Sequence, residues 1–441
     1  MIIPSIDLRE GRAVQLVQGK KLTITHDKPL HLAKEFSRYG ELAVIDLDAA
    51  MGWGENLNLI EKICHRYPAR VGGGIRSLEM VAKILSFGAR KIIIGTRAFQ
   101  TSGRSSVGLN CNFLNQLKKM VGRERIIIAL DYSQGKILVE GWQKKTDLSL
   151  EEVIPEVEKY AGEILLTCVD QEGLLQGPDR DRILRLASQA STLVTAAGGI
   201  STVEDVRVFS RAGINVQIGM ALYTGTLPLR EAFLATVVWE KGENNLIPTI
   251  TVDQNGQVLT LAYSSQESLR RTFTTGEVWY FSRSRNCLWL KGETSRNRQK
   301  FIRVRTDCDG DALLITASPQ GPACHTGQYS CFGPREFHLG ELFETIQNRL
   351  AVPSPNSYTA SLSMAETKAK LKEEVLELLL AMKEEELIWE AADVLYFLLV
   401  FLAKKGVHWE DVLRELRRRR RVPHLKRGGG SRGLKLVSRG R

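Results

Sequence analysis

From residue 1 to about 238, short apolar runs alternate with stretches whose apolar residues recur at three- and four-residue spacing. That alternation predicts strands, each followed by an amphipathic helix. The apolar runs are Ile2–Ile6, Leu42–Leu47, Ile92–Gly95, Ile126–Leu130, Ile164–Val169, Leu193–Ala196 and Val216–Gly219. That alternation is read only to about 238; from about 239 to 340 a small β-rich α+β region is expected. After Val352-Pro353-Ser354-Pro355-Asn356, a short linker, the pattern turns helical and stays so to about 420. Apolar Leu376, Leu380, Leu395 and Leu399 supply the expected core stripe of those helices.

The first half repeats itself. Asp7 and Asp131 are 124 residues apart, as are Asp46 and Asp170, and Gly95 and Gly219. The triplet Gly73-Gly74-Ile75 recurs as Gly198-Gly199-Ile200 at a spacing of 125. Matched landmarks in one register predict a duplicated (βα)4 half that closes into an eight-stranded TIM barrel. Residues just past the strand ends then face the active site, with Asp7 and Asp131 on opposite sides of the mouth. Opposed carboxylates suit a general acid and a general base. Either aspartate could instead cap the helix that follows it, and that reading is stronger for Asp46 and Asp170. Gly73, Gly74, Gly198 and Gly199, with Gly95 and Gly219, lie after equivalent strands. They predict two phosphate sites across from each other, because glycine lets backbone N–H groups approach an anion. A substrate phosphorylated at both ends would fill them.

Two further constellations carry chemistry. In Asp307-Cys308-Asp309-Gly310-Asp311, three carboxylates alternate with small or soft side chains, and Cys324 and Cys331 follow. If the run is extended, its aspartates point to one face and Cys308 to the other. Oxygens suit Mg²⁺ and thiolates suit Zn²⁺; an exposed turn is the competing reading. Glu374 and Glu377 share one helix face, as do Glu390 and Asp393. Two facing helices would gather four carboxylates, enough for one or two Mg²⁺ ions, unless they form a solvated acidic face.

Net charge is +11, yet eleven Lys or Arg residues and no acids lie between Arg417 and Arg441. Without those eleven, fifty basic residues face fifty acidic ones, so the body is neutral and the basicity is all tail. Residues 421–441 read as a disordered appendage that could bind nucleic acid non-specifically at low salt. No apolar stretch reaches ~18 residues without a charge, which predicts no membrane span. Seven scattered cysteines suit reduced thiols in a cytoplasm.

Motif strings then point to families. Ile3-Pro4-Ser5-Ile6-Asp7-Leu8, Gly54-Glu55-Asn56-Leu57, Gly72-Gly73-Gly74-Ile75-Arg76-Ser77 and Gly141-Trp142 with Thr146 resemble ProFAR isomerase of histidine biosynthesis, over about 1–238. The resemblance implies that Asp7 and Asp131 are base and acid of an Amadori rearrangement, that Trp142 stacks on the substrate, and that Thr167 hydrogen-bonds in the mouth. Gln15, Glu172-Gly173-Leu174 and Met220 depart from that family's arginine, Asp-Gly-Thr and Gly-Arg-Ala. Phe281-Ser282-Arg283-Ser284-Arg285, Leu288 to Ser295 and Gly321-Pro322-Ala323-Cys324-His325 resemble phosphoribosyl-AMP cyclohydrolase over about 239–335. By that resemblance Cys308, Cys324 and Cys331 bind zinc at a dimer interface, and Asp307, Asp309 and Asp311 bind magnesium. Arg296 stands where that family usually has glycine. Ser357 to Leu362, Lys372-Glu373-Glu374 with Glu377, and Glu390 to Tyr396 resemble phosphoribosyl-ATP pyrophosphohydrolase over about 357–420. Its metal ligands carry over to Glu374, Glu377, Glu390 and Asp393.

The expectation is a cytoplasmic trifunctional enzyme, with domains 1–238, 239–340 and 357–420 and the tail 421–441. Its cofactors would be Zn²⁺ and Mg²⁺, its substrates phosphorylated nucleotide derivatives, and its assembly a homodimer or larger homo-oligomer. A bifunctional hydrolase with a non-catalytic barrel scaffold is one alternative, and a nucleic-acid-binding regulator using the tail is another.

Overall fold

The computed structural model describes residues 1–102, 106–352 and 357–421. The linker residues 353–356 and the tail beyond Arg421 lie outside the described residues. The chain forms two compact units, 1–333 and 334–420.

In the first unit eight parallel strands close on themselves: β1 (Ile2–Arg9), β2 (Leu42–Asp46), β3 (Ala69–Gly72), β4 (Lys91–Ile94), β5 (Ile126–Ser133), β6 (Glu163–Cys168), β7 (Leu193–Ala197) and β8 (Asn215–Ile218). The ring closes where Ile2 of β1 pairs with Val216 of β8. Continuous apolar runs form these strands because both faces are buried, one by the barrel interior and one by the helices. Ile93, Ile127, Ala129, Leu165 and Ala197 fill the interior. The predicted duplication is present in detail. β1 and β5 begin 124 residues apart, have the same length and the same sequence of buried and half-buried positions. Each leads into a hairpin, Arg12–Val17 with Lys21–His26 and Lys136–Val139 with Lys144–Ser149.

The strands' N-terminal end holds a buried ionic plug that sequence pattern did not reveal. Arg70 bonds Glu41 at 2.9 Å and also bonds Glu163, which takes Lys91 at 2.5 Å and the Thr195 hydroxyl. A charge left alone there would be costly, so the pairing of each charge with an opposite one is what permits it, although Glu41 Oε1 and Arg70 Nε are buried without a partner.

The unit continues into a six-stranded sheet whose central strands are Val258–Ser264, Ile247–Val252 and Leu313–Pro319. Helix Gln266–Thr275 packs on it, started by the Ser265 capping box and stopped by left-handed Gly276. This sheet is joined to the barrel by aromatic packing. Tyr39 lies edge-on to Phe273 at 5.0 Å, Phe273 meets Phe301 at 5.4 Å, and Phe233 completes the group. Arg270 pairs with Glu231 at 2.9 Å, and the Val304 amide donates to the Arg38 carbonyl.

The second unit is helical: Leu339–Ala351, Tyr358–Ser361, Met364–Leu380, Glu384–Lys404 and Trp409–Arg421. Phe343, Ile346, Leu399 and Val400 form its small core, so helix Leu339–Ala351 packs with the later helices. The expected core stripe is only partly inside. Leu399 is fully buried, but Leu376 is 60% exposed, Leu380 74% and Leu395 38%. The two long helices turn carboxylates toward each other and leave much of that stripe uncovered.

Candidate functional site

A cavity of about 300 Å³ opens at the C-terminal ends of the barrel strands. Asp7, Asp131, Trp142 and Thr167 line it, as do Gly73, Gly74, Gly95, Gly198, Gly199 and Gly219. The structure thus gathers all ten residues picked out in the barrel by sequence.

Asp7 pairs in register with Ile45 of β2, and Asp131 with Thr167 of β6, which places both carboxylates at equivalent strand ends. Ser5 Oγ donates to Asp7 at 2.8 Å, and Gln15 Nε2 at 3.5 Å. Burial outweighs the Ser5 bond and pushes the Asp7 carboxyl up to about 6. Asp131 is also raised by burial, opposed by hydrogen bonds from Trp142 and Thr167. The Trp142 indole N–H reaches Asp131 at 2.8 Å, from a residue held at φ +68° and packed over Gly19.

Gly73 and Gly198 share φ +90°. A Cβ on Gly73 would come within 2.2 Å of the Asp46 carbonyl, and one on Gly198 within 2.5 Å of the Cys168 carbonyl. Both turns therefore require glycine, and they lie symmetrically around the mouth.

Asp46 caps the short helix Leu47–Met51 through Ala49 N and also binds Asn56. Asp170 binds Ser133 Oγ and Gln134 N. Asp46 fills the capping role weighed for it, whereas Asp170 caps no helix and instead ties the loop after β6 to the end of β5. A third carboxylate, Glu172, enters the cavity as well. Motif comparison had marked it only as a departure.

In the second region the acidic run is a turn and not an extended strand. Strand Gln299–Thr306 ends before it, and Gly310 takes φ +76°. Asp307 Oδ1 accepts from Asp311 N at 3.0 Å and Ala312 N at 3.1 Å, which folds the run back on itself. Asp307, Cys308 and Asp309 consequently converge with ligand atoms within 4.8 Å, instead of facing opposite ways. Lys241 reaches over from the barrel's exit to Asp309 at 2.6 Å and Asp311 at 3.3 Å. Cys324 and Cys331 interact with each other, and Thr326 Oγ1 donates to Cys324 Sγ at 3.1 Å; these bonds hold the Cys324 thiol below its usual range. Among the described residues Cys308 does not join that pair in a metal-sized cluster. One chain alone does not assemble a three-thiolate site.

The helical unit does assemble a cation-sized cluster. Glu374, Glu390 and Asp393 bring ligand oxygens within 4.8 Å of one another. Glu374 is buried, and Glu390 Oε2 is buried without a partner. Burial first, then the neighbouring carboxylates, raise both Glu374 and Glu390, and Glu377 lies against Glu390. Lys370 reaches Glu374 at 3.8 Å, and the negative charge that remains, with an orphaned oxygen, fits a divalent cation.

A closed barrel with opposed acids and twin glycine turns at its mouth, followed by carboxylate- and thiol-bearing domains, defines a multidomain enzyme acting on phosphorylated small molecules. The chain belongs to the histidine biosynthesis protein family, whose profile matches residues 1–228. Residues 260–333 match phosphoribosyl-AMP cyclohydrolase, and residues 339–420 match phosphoribosyl-ATP pyrophosphohydrolase. The first half is similar to the 1-(5-phosphoribosyl)-5-((5-phosphoribosylamino)methylideneamino)imidazole-4-carboxamide isomerase of Methanocaldococcus jannaschii, 38% identical over 53% of this chain and 97% of the relative. The second half is similar to the histidine biosynthesis bifunctional protein HisIE of Pyrococcus furiosus, 44% identical over 43% of this chain and 99% of the relative. The HisIE protein of Bacillus subtilis is 44% identical over 40% of this chain and 92% of its own length. Among the described residues no helix is long and apolar enough to cross a membrane.

Proposed function

We propose that the chain performs three consecutive steps of histidine biosynthesis, in the reverse of its domain order. The helical unit hydrolyses phosphoribosyl-ATP to phosphoribosyl-AMP and pyrophosphate. The middle domain opens the purine ring to give ProFAR, and the barrel isomerises ProFAR. The observation that carries the reading is that all three families match in succession along one chain. The functional divisions 1–238, 239–340, 357–420 and the tail 421–441 belong to the same proposal, with helix Leu339–Ala351 assigned to the unit it packs in.

In the barrel, Asp131 is the acid that assists opening of the ribose ring, and Asp7 is the base that takes the proton from C2′. Trp142 and Thr167 orient Asp131 and face the substrate. The six glycines Gly73, Gly74, Gly95, Gly198, Gly199 and Gly219 cradle its two phosphates.

Glu374, Glu377, Glu390 and Asp393 hold Mg²⁺ in the helical unit; when bound, the cation offsets the charge of the triphosphate. Asp307, Asp309 and Asp311 are the proposed magnesium ligands of the middle domain, where Lys241 now occupies part of that charge. Zn²⁺ at Cys308, Cys324 and Cys331 requires a second copy of the chain, since one chain leaves Cys308 apart. That requirement supports a homodimer or larger homo-oligomer. Exposed Leu379, Leu380, Ile388 and Trp389 on the helical unit support it independently. The scattered cysteines favour a cytoplasmic location, and the basic tail adds non-specific nucleic-acid binding at low salt.

The test is to supply phosphoribosyl-ATP with Mg²⁺ and Zn²⁺ and to follow the products by mass. Accumulation of the isomerised aminoketose is expected. Arrest at ProFAR assigns the barrel a scaffold role, and untouched phosphoribosyl-ATP overturns the first step.

A further inference from the structure

The peptide that leaves the barrel is built against the acidic turn of the middle domain. After the last barrel helix, Leu229–Thr236, a single 3-10 turn covers Trp239–Lys241. Between them the Val238 amide donates to the Gly310 carbonyl at 2.7 Å. Gly310 itself has no room for a side chain. It sits at φ +76°, where a Cβ would meet the Thr236 carbonyl at 2.8 Å and the Val238 side chain at 3.0 Å. Backbone contact alone therefore fixes the turn on the barrel's exit. Lys241 then reaches the two aspartates that flank Gly310. Its Nζ lies 2.6 Å from Asp309 Oδ2 and 3.3 Å from Asp311 Oδ2, and it donates to the Asp309 carbonyl at 3.4 Å. Asp307 is satisfied differently, since its Oδ1 takes the Asp311 and Ala312 amides.

An ammonium between two carboxylates is a cation standing where a divalent ion could stand. It brings one positive charge to two negative ones, so the turn keeps a net negative charge that a doubly charged ion answers better. We propose that Lys241, supplied by the barrel, is a built-in competitor for the cation of the acidic turn: its ammonium neutralises part of the Asp309 and Asp311 charge and gives way when a divalent ion binds there. The proposal rests on the reading of this turn as a magnesium site. The backbone clamp at Gly310 holds the turn in place while the side chain swings aside, so the exchange breaks only an ion pair. All three side chains of that pair are partly exposed, which makes it weak and the exchange reversible. The metal demand of the middle domain is then set in part by a residue that belongs to the barrel.

Titration of the full chain with Mn²⁺, followed by electron paramagnetic resonance of the free ion, tests this. E390Q and D393N are placed in the background to silence the carboxylate cluster of the helical unit. In that background K241M should bind Mn²⁺ about fivefold more tightly than the chain that keeps Lys241, the size expected of an exposed ion pair. K241R retains the charge and should stay close to the chain with Lys241. Higher ionic strength should narrow the gap, because charges this exposed are screened. A K241M chain that binds Mn²⁺ no more tightly, or a K241R chain that tightens as much as K241M, overturns the proposal. D309N/D311N in the same background separates the two readings. If it abolishes binding while K241M changes nothing, the magnesium site stands and the competitor falls. If Mn²⁺ binding persists unchanged in D309N/D311N, the turn is not the cation site and both fall.

Discussion

Asp7 shows how a single carboxylate links burial to chemistry. Its carboxyl titrates near 6, above the ordinary 3.8, because burial penalises the charge more than Ser5 repays. A base must be ionised, so ProFAR turnover should fall as pH drops through about 6. The same shift has a stability sign. A raised carboxyl favours the folded state below 3.8, and that advantage is lost as pH rises through 6. Asp7→Asn should therefore lower isomerase turnover by about 10²-fold or more. It should also stabilise the fold at pH 8 by up to about 3 kcal/mol in denaturant melts, with no gain below pH 3.8. Arg296 is a second instructive residue. It adopts φ +63°, a left-handed conformation that strains a side-chain-bearing residue and suits the glycine usual at this place in the resembled family. Arg296→Gly should raise stability by about 1 kcal/mol, read as a higher denaturant midpoint at unchanged slope.

At the scale of elements, the duplicated half-barrel uses the same turn twice. Gly198→Ala would press a methyl onto the Cys168 carbonyl and hold a strained φ. Equilibrium unfolding should show a loss of about 1–3 kcal/mol, and KM for ProFAR should rise because the turn carries a proposed phosphate cradle. Gly73→Ala should do the same from the opposite side. In the helical unit the carboxylate cluster forms where the two long helices pair, with Lys370 beside Glu374. Glu374→Gln removes one negative oxygen from the cluster, and calorimetric titration with Mg²⁺ should show affinity falling about tenfold or more. Circular dichroism should be unchanged, since the adjacent core of Phe343, Ile346, Leu399 and Val400 is untouched.

For the molecule as a whole, the joint between barrel and sheet decides cooperativity. Tyr39, Phe233, Phe273 and Phe301 belong to one continuous apolar core spanning both parts of the first unit. Thermal unfolding of that unit should be one transition. Phe273→Ala removes the ring at the centre of the cluster and should cost about 3–5 kcal/mol. A calorimetric scan of the variant should then separate barrel from sheet, whereas a single unshifted transition would show that the joint does not couple them.

The barrel was legible in the sequence because its two signals are local and repeated. Apolar runs set the strands, and a fixed spacing set which aspartates and glycines stand at equivalent strand ends. The positions of the acid pair followed, since residues near a barrel strand's C-terminal end face the mouth whatever the helices do. The acidic run left two readings open, and the turn is the one present: alternation of Asp with Cys looks extended, but Asp307 binds its own backbone four and five residues on and turns the chain. The leucine stripe misled because periodicity says which residues share a helix face, and not whether a neighbour covers it. Glu172 and the Arg70–Glu163 plug were invisible as sites, since their meaning lies in what strands far apart in sequence bring beside them. The sequence alone determined the barrel, the strand-rich region and the helical region, and their order along the chain. The tertiary structure decided which charges meet, which are buried, and which faces remain open, because those depend on distances that no spacing along the chain records.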